Sequence, residues 1–270
     1  MSPMGMLPKS IYKVTPINKM SQSQLSAREK RSKSSYMALA QASFLAATVQ
    51  ALAIGLSSAL VLNGQFKAFE PVRVLAFIPT HQTLWQSNCL VLSLCSITFL
   101  FYSLAYVMLL ERKLMLWSVF AVALLLIATG TALNSQVSLL VMFSDLAQEL
   151  FTYKTQLDGG MLHVAWAVLT QFFCQSILIA NTLTAISGMT LSLCSFLSDS
   201  IPRPIAWSGL VLWVTTIFAT VFASVGKLDF ALIAWFAARI LLLIYLAGVG
   251  IIIERTISKR FDVPKAKSPI

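Results

Sequence analysis

Arg239 stands in the middle of the apolar run WFAARILLLIYL, residues 235 to 246. A guanidinium stays ionised even when buried, so a charge in such a run demands a pairing group, water or a ligand. Counted from the start of the run at 230, Arg239 lies about ten residues in. That is about 14 Å along a helix, close to the middle of a hydrocarbon core about 30 Å thick. None of the 10 acidic residues falls within an apolar run, so the membrane core holds no carboxylate of this chain. The candidate partners are Gln171 or Gln175, the Thr216 and Thr220 face of the preceding span, Trp235 through a cation–π contact, water, an anionic ligand, a lipid headgroup, or an acid on another subunit.

The richest polar stripe lies in residues 161–187. At 100° per residue, Thr170, Cys174 and Asn181 fall on the face of His163, with Gln171 and Gln175 on its flank. Polar side chains at membrane depth face the protein interior or a hydrated cavity, because lipid leaves their hydrogen bonds unmade. The stripe suits either interhelical hydrogen bonds or a path for water or solute. Arg239, Gln171, Gln175, Asn181 and His163 are therefore the candidate binding residues, and Arg239 is expected to face inward and meet this stripe.

Other chemistry is poorly supported. Asp145, Glu149, Asp158 and His163 carry the atoms of a cation site, and His81 and His163 those of paired haem ligands. Each histidine is alone on its helix, however, and acids of this kind ordinarily form a solvated face. No metal or other cofactor is expected. H-E-x-x-H, G-x-S-x-G, Walker A and G-x-G-x-x-G patterns are all missing, and two histidines with ten acids restrict acid–base catalysis. The expectation is a protein that is not an enzyme.

These residues must be positioned by membrane-spanning helices. Hydrophobic residues form 57% of the 270, charged residues only 11%, which excludes an ordinary soluble domain. Six apolar runs, at about 36–62, 84–110, 114–134, 161–187, 205–225 and 230–253, are each long enough to cross a bilayer. Lipid cannot satisfy free backbone groups, so each run closes its own hydrogen bonds as a helix. The predicted fold class is an all-α, polytopic bundle of six transmembrane helices. In SDSIPRPIAW, Pro202 stops one helix and Pro204 suits the first turn of the next.

Residues 1–35 read as a basic polar tail, disordered or weakly helical, with a cleaved organelle-targeting segment as the alternative; residues 254–270 read as a second basic tail. Of the 20 Lys and Arg residues, 15 lie on the side of the two tails and four on the other, which puts both termini in the cytoplasm. The location expected is a plasma or inner membrane, or an organelle membrane. The net charge of +10 sits in the tails, so its partners are anionic lipid headgroups rather than nucleic acid. Arg28, Lys30, Arg31, Lys33, Arg255, Lys259 and Arg260 are the expected contacts.

In the second outer loop, residues 137–152 place Leu139, Phe143, Leu146 and Leu150 on one helical face and Asp145 and Glu149 away from it. This is the pattern of an interfacial helix or of a lid over the bundle. Loop lengths divide the chain into two halves of three spans, as in transporters built from inverted repeats. Cys89, Cys95, Cys174 and Cys194 all fall in apolar stretches, so structural disulfides are not expected.

Two function classes follow. The first and preferred is a non-catalytic structural, assembly or regulatory membrane component, in which a protein partner or a second copy satisfies Arg239. The second is a small-solute or anion transporter or channel whose path is lined by Arg239 and the polar residues of the fourth span.

Overall fold

A computed structural model describes residues 22–62, 75–153 and 159–261, and among these no strand occurs. Six helical rods carry the fold. They are α1 (Gln22–Leu62), α2 (Gln82–Val107), α3 (Met115–Tyr153), α4, α5 (Arg203–Ser224) and α6 (Leu228–Phe261). The rod α4 has three contiguous parts: an α-helix Gly159–Phe172, a π-helix Phe173–Ala180 and an α-helix Asn181–Phe196. Six of these helical stretches are long and apolar enough to cross a membrane, as the sequence predicts. Their outer faces carry exposed Leu116, Trp117 and Phe120 on α3, Val211 on α5, and Ile233, Ile240 and Ile244 on α6. Such faces suit hydrocarbon, where only a helix can close its own backbone hydrogen bonds.

Helix lengths depart from the expected spans at three places. The first helix begins at Gln22, so residues 22–35 of the predicted tail are helical and continuous with the first span; residues 1–21 lie outside the described part. At 41 residues it is about 60 Å long, twice the hydrocarbon core, so it projects beyond the bilayer. The second departure is in α3, which does not stop at 134 but runs to Tyr153 as one helix. The predicted outer-loop helix is its continuation, with Leu139, Phe143 and Ala147 buried while Asp145 and Glu149 are exposed. The segment thus covers one end of the bundle. Third, α6 continues to Phe261, eight residues past the predicted end of the last span at 253.

Each helix packs on its sequence neighbour, and α6 packs on α1, so the six form a closed ring. The turns are short and specified locally. Gly226, with φ 74°, ends α5 in the left-handed region that glycine alone enters freely, and Lys227 N–H then donates to Phe222 O at 2.9 Å. Pro202 caps α5, and Ile205 N–H donates to its carbonyl at 3.0 Å. Glu111 ties two turns together at the end bearing most basic residues. Its carboxylate accepts from Asp199 N–H at 3.1 Å and pairs with Lys113 Nζ at 2.8 Å.

The interior is divided along the bundle axis. Toward the basic end lies a large apolar cluster that includes Leu39, Phe99, Tyr102, Tyr106, Ile205, Trp213, Tyr245 and Ile253. Toward the opposite end lies a second, built from Ile78, Trp85, Leu139, Phe143, Val168 and Ala231.

Candidate functional site

Between the two clusters the ring holds a partly open chamber of about 190 Å³ to which all six helices contribute. On α2 it runs from Trp85 to Phe99, and on α6 from Trp235 to Leu242. Most of its wall is apolar. Into this wall are set Gln50 and Ser57 of α1, Asn88 and Ser96 of α2, Thr129 and Gln136 of α3, Ser176, Asn181 and Thr184 of α4, Thr216 of α5 and Arg239 of α6. Among the described residues lining it, Arg239 is the sole Lys, Arg, Asp or Glu.

The geometry around Arg239 answers the question its sequence position raises. Its Nη1 donates to Gln50 Oε1 at 3.3 Å, and its guanidinium lies over the Trp235 ring, 4.6 Å from the centroid. Cys95 of α2 lines the same chamber, its thiol donating to Val49 O at 3.6 Å. The cation–π contact is the one read from the sequence; it arises because residues four apart share a helix face. A guanidinium can only donate, so it fixes Gln50 with the amide oxygen toward itself. The Gln50 Nε2 is then left beside a cation, and it lacks a hydrogen-bond partner among the described residues although the residue is only 2% exposed.

Gln50 is one of several. Trp85, Gln136 and Asn181 also line the chamber, and their Nε1, Oε1 and Nδ2 atoms, buried behind its surface, also lack a hydrogen-bond partner among the described residues. A buried polar group left unpaired costs about 1–3 kcal/mol. Four such groups belong to residues around one cavity, with a cation at its side, an arrangement suited to water or a polar solute. Other lining groups are spoken for: Ser57 Oγ donates to Asn88 Oδ1 at 2.9 Å, and Ser135 and Ser176 hydroxyls meet at 2.6 Å.

The predicted polar stripe of α4 is only partly assembled. Asn181 lines the chamber. Gln175 instead accepts from Asn134 Nδ2 at 3.0 Å, linking α4 to α3, and no contact joins it to Arg239 among the described interactions. His163 and Thr170 are exposed, and the side chains of Gln171 and Cys174 lie outside the described part. The reason is the π-helix Phe173–Ala180. Its wider i→i+5 hydrogen bonding breaks the 100° register on which the stripe was counted. Residues before and after it therefore no longer share a face. Thr216 does line the chamber as expected of the α5 face, its hydroxyl donating to Leu212 O at 3.0 Å.

Sequence reasoning overlooked Gln50, Asn88 and Gln136. The signal was present for Gln50: it is an amide deep inside the first apolar run, and the rule that turned Arg239 inward applies to it equally. The acidic cluster fared differently. Asp145 and Glu149 are exposed, as is His81, whose ring stacks on Phe77 at 4.2 Å between centroids. Asp158 lies outside the described residues. Among the described residues no group of three or more His, Cys, Asp or Glu could hold a metal. Cys89, Cys95 and Cys194 are free thiols.

Toward the basic end an aromatic layer floors the chamber. Phe99 and Trp213, which line it, pack 5.6 Å apart between ring centroids; Tyr102 and Tyr245 lie beneath, with their hydroxyls 3.0 Å apart. Tyr106 then meets Ser195 Oγ at 2.5 Å. Gly188 permits this layer. A Cβ there would overlap the Trp213 indole.

The chain matches no family model, and no curated protein or solved structure matches it at a significant level.

Proposed function

We propose that the chain is a small-solute carrier whose substrate site is the central chamber. One observation carries this reading: among the described residues, Arg239 is the one charged side chain lining a central chamber whose wall residues include four with a buried polar atom that has no partner. The packing supports a carrier over an open channel, because the aromatic layer closes the chamber toward the basic end. The chamber lies at the centre of the ring, where all six helices contribute to it; alternating access by rocking one group of helices against another needs a site in that position. Arg239 finds Gln50 and Trp235 within its own chain, which favours this reading over a structural component completed by another subunit.

Orientation follows from charge. The basic end, with the start of α1, the turn at Arg112 and Lys113, Arg203 and the end of α6, faces the cytoplasm. Arg28, Lys30, Arg31, Lys33, Arg255, Lys259 and Arg260 then meet anionic headgroups of a plasma or inner membrane.

Ser96 lines the chamber and supplies the test. In a chain whose native cysteines are replaced, Ser96→Cys is treated in proteoliposomes with membrane-impermeant thiol reagents of either charge. The carrier reading expects modification, with the anionic reagent faster by about tenfold, a preference removed by Arg239→Gln. A Ser96→Cys chain that folds but is unmodified from both faces refutes the reading.

A further inference from the structure

Resting on the carrier reading, we infer that the chamber's substrate is a small organic monocarboxylate. Charge sets the first limit. Among the described lining residues Arg239 has no ionic counterpart, so a single negative charge neutralises the site. A dianion would leave an excess negative charge in a poorly screened interior, and a neutral solute would leave the positive one.

Donor geometry sets the second. Gln50 accepts from Arg239 at 3.3 Å through its oxygen, which leaves its unpartnered Nε2 beside the same guanidinium. The Nε2 atom has no open surface toward the chamber, so the guanidinium N–H groups not engaged by Gln50 are the donors a ligand meets. A carboxylate offers two oxygens to that fork; a halide offers one spherical surface. The planar guanidinium is further restrained by Trp235 on its face, so its unspent N–H groups point in directions fixed before the ligand arrives.

The wall sets the third. Leu92, Leu125, Leu212 and Phe99 contribute apolar surface beyond the charged corner. That surface matches a hydrocarbon or aromatic body and gives a hydrated inorganic anion nothing to replace its water.

The test is thermal unfolding of the purified full-length chain in mild detergent with acetate, butyrate, hexanoate and benzoate, against butyramide, benzamide, succinate, chloride and phosphate. At least one monocarboxylate should raise the unfolding temperature saturably, while its amide does not. Arg239→Gln should abolish the shift, and Gln50→Leu should raise the half-saturating concentration by about tenfold. If Ser96→Cys is labelled but only amides, succinate or inorganic anions stabilise, or if none of the solutes does, the monocarboxylate assignment falls while the carrier reading stands. If Ser96→Cys is also unlabelled from both faces, the carrier reading falls with it.

Discussion

Arg239 of the last helix donates to the Gln50 side chain of the first, 189 positions away in sequence, at 3.3 Å. That bond closes the helical ring at the seam between α1 and α6 and fixes which way the Gln50 amide faces.

Replacing Gln50 by glutamate therefore puts a carboxylate against Arg239 and neutralises the charge that the proposed ligand would meet. The expected outcome is a protein at least as heat-stable as the parent, since the interior charge gains a partner, but without any response to monocarboxylates. Gln50→Leu should instead lose about 1–3 kcal/mol, the cost of leaving the guanidinium short of an acceptor. Unfolding in mild detergent, with and without benzoate, separates the two.

Gly188 is predicted to be intolerant of even one methyl group. A Cβ there would overlap the Trp213 indole, whereas one at Gly55 would meet nothing within 4 Å. Gly188→Ala should destabilise by about 1–3 kcal/mol through overpacking, while Gly55→Ala should be neutral or gain up to about 1 kcal/mol from helix propensity. Equal effects at the two sites would mean that the aromatic layer does not pack on α4 as described.

The Tyr106–Ser195 contact offers a double-mutant cycle. Ser195 Oγ also donates to Leu191 O at 2.7 Å, so Ser195→Ala and Tyr106→Phe each remove part of one network. A coupling of about 0.5–1.5 kcal/mol in unfolding is expected. A value near zero would show that the two hydroxyls do not share a hydrogen bond.

The Glu111 turn should respond to acid. Its hydrogen bond with Lys113, followed by that from the Asp199 amide, holds the Glu111 carboxyl below the ordinary glutamate range. A depressed carboxyl stabilises the fold above its unfolded value and loses that contribution as pH falls through the folded one. Exchange of the Asp199 amide with solvent should therefore be protected at neutral pH and lose protection only below the usual glutamate range. Glu111→Gln should make that protection nearly independent of pH.

The six helices were legible from sequence because lipid makes secondary structure a local necessity: an apolar run has no solvent to bond its backbone and must coil on itself. For the same reason Arg239 announced itself, as did the cation–π contact with Trp235, which depends only on helical spacing. Two things were not legible. The Arg239–Gln50 pair depends on α6 closing against α1, a choice among packings of apolar surfaces that differ little in transfer energy. The inward face of α4 depends on the π-helix Phe173–Ala180, which a uniform helical count carries through unbroken. What the sequence by itself determined was how many spans there are, which end is basic, and that one unneutralised cation lies among them. The tertiary structure decided what surrounds that cation, because side chains far apart in sequence share one chamber only after the ring has closed.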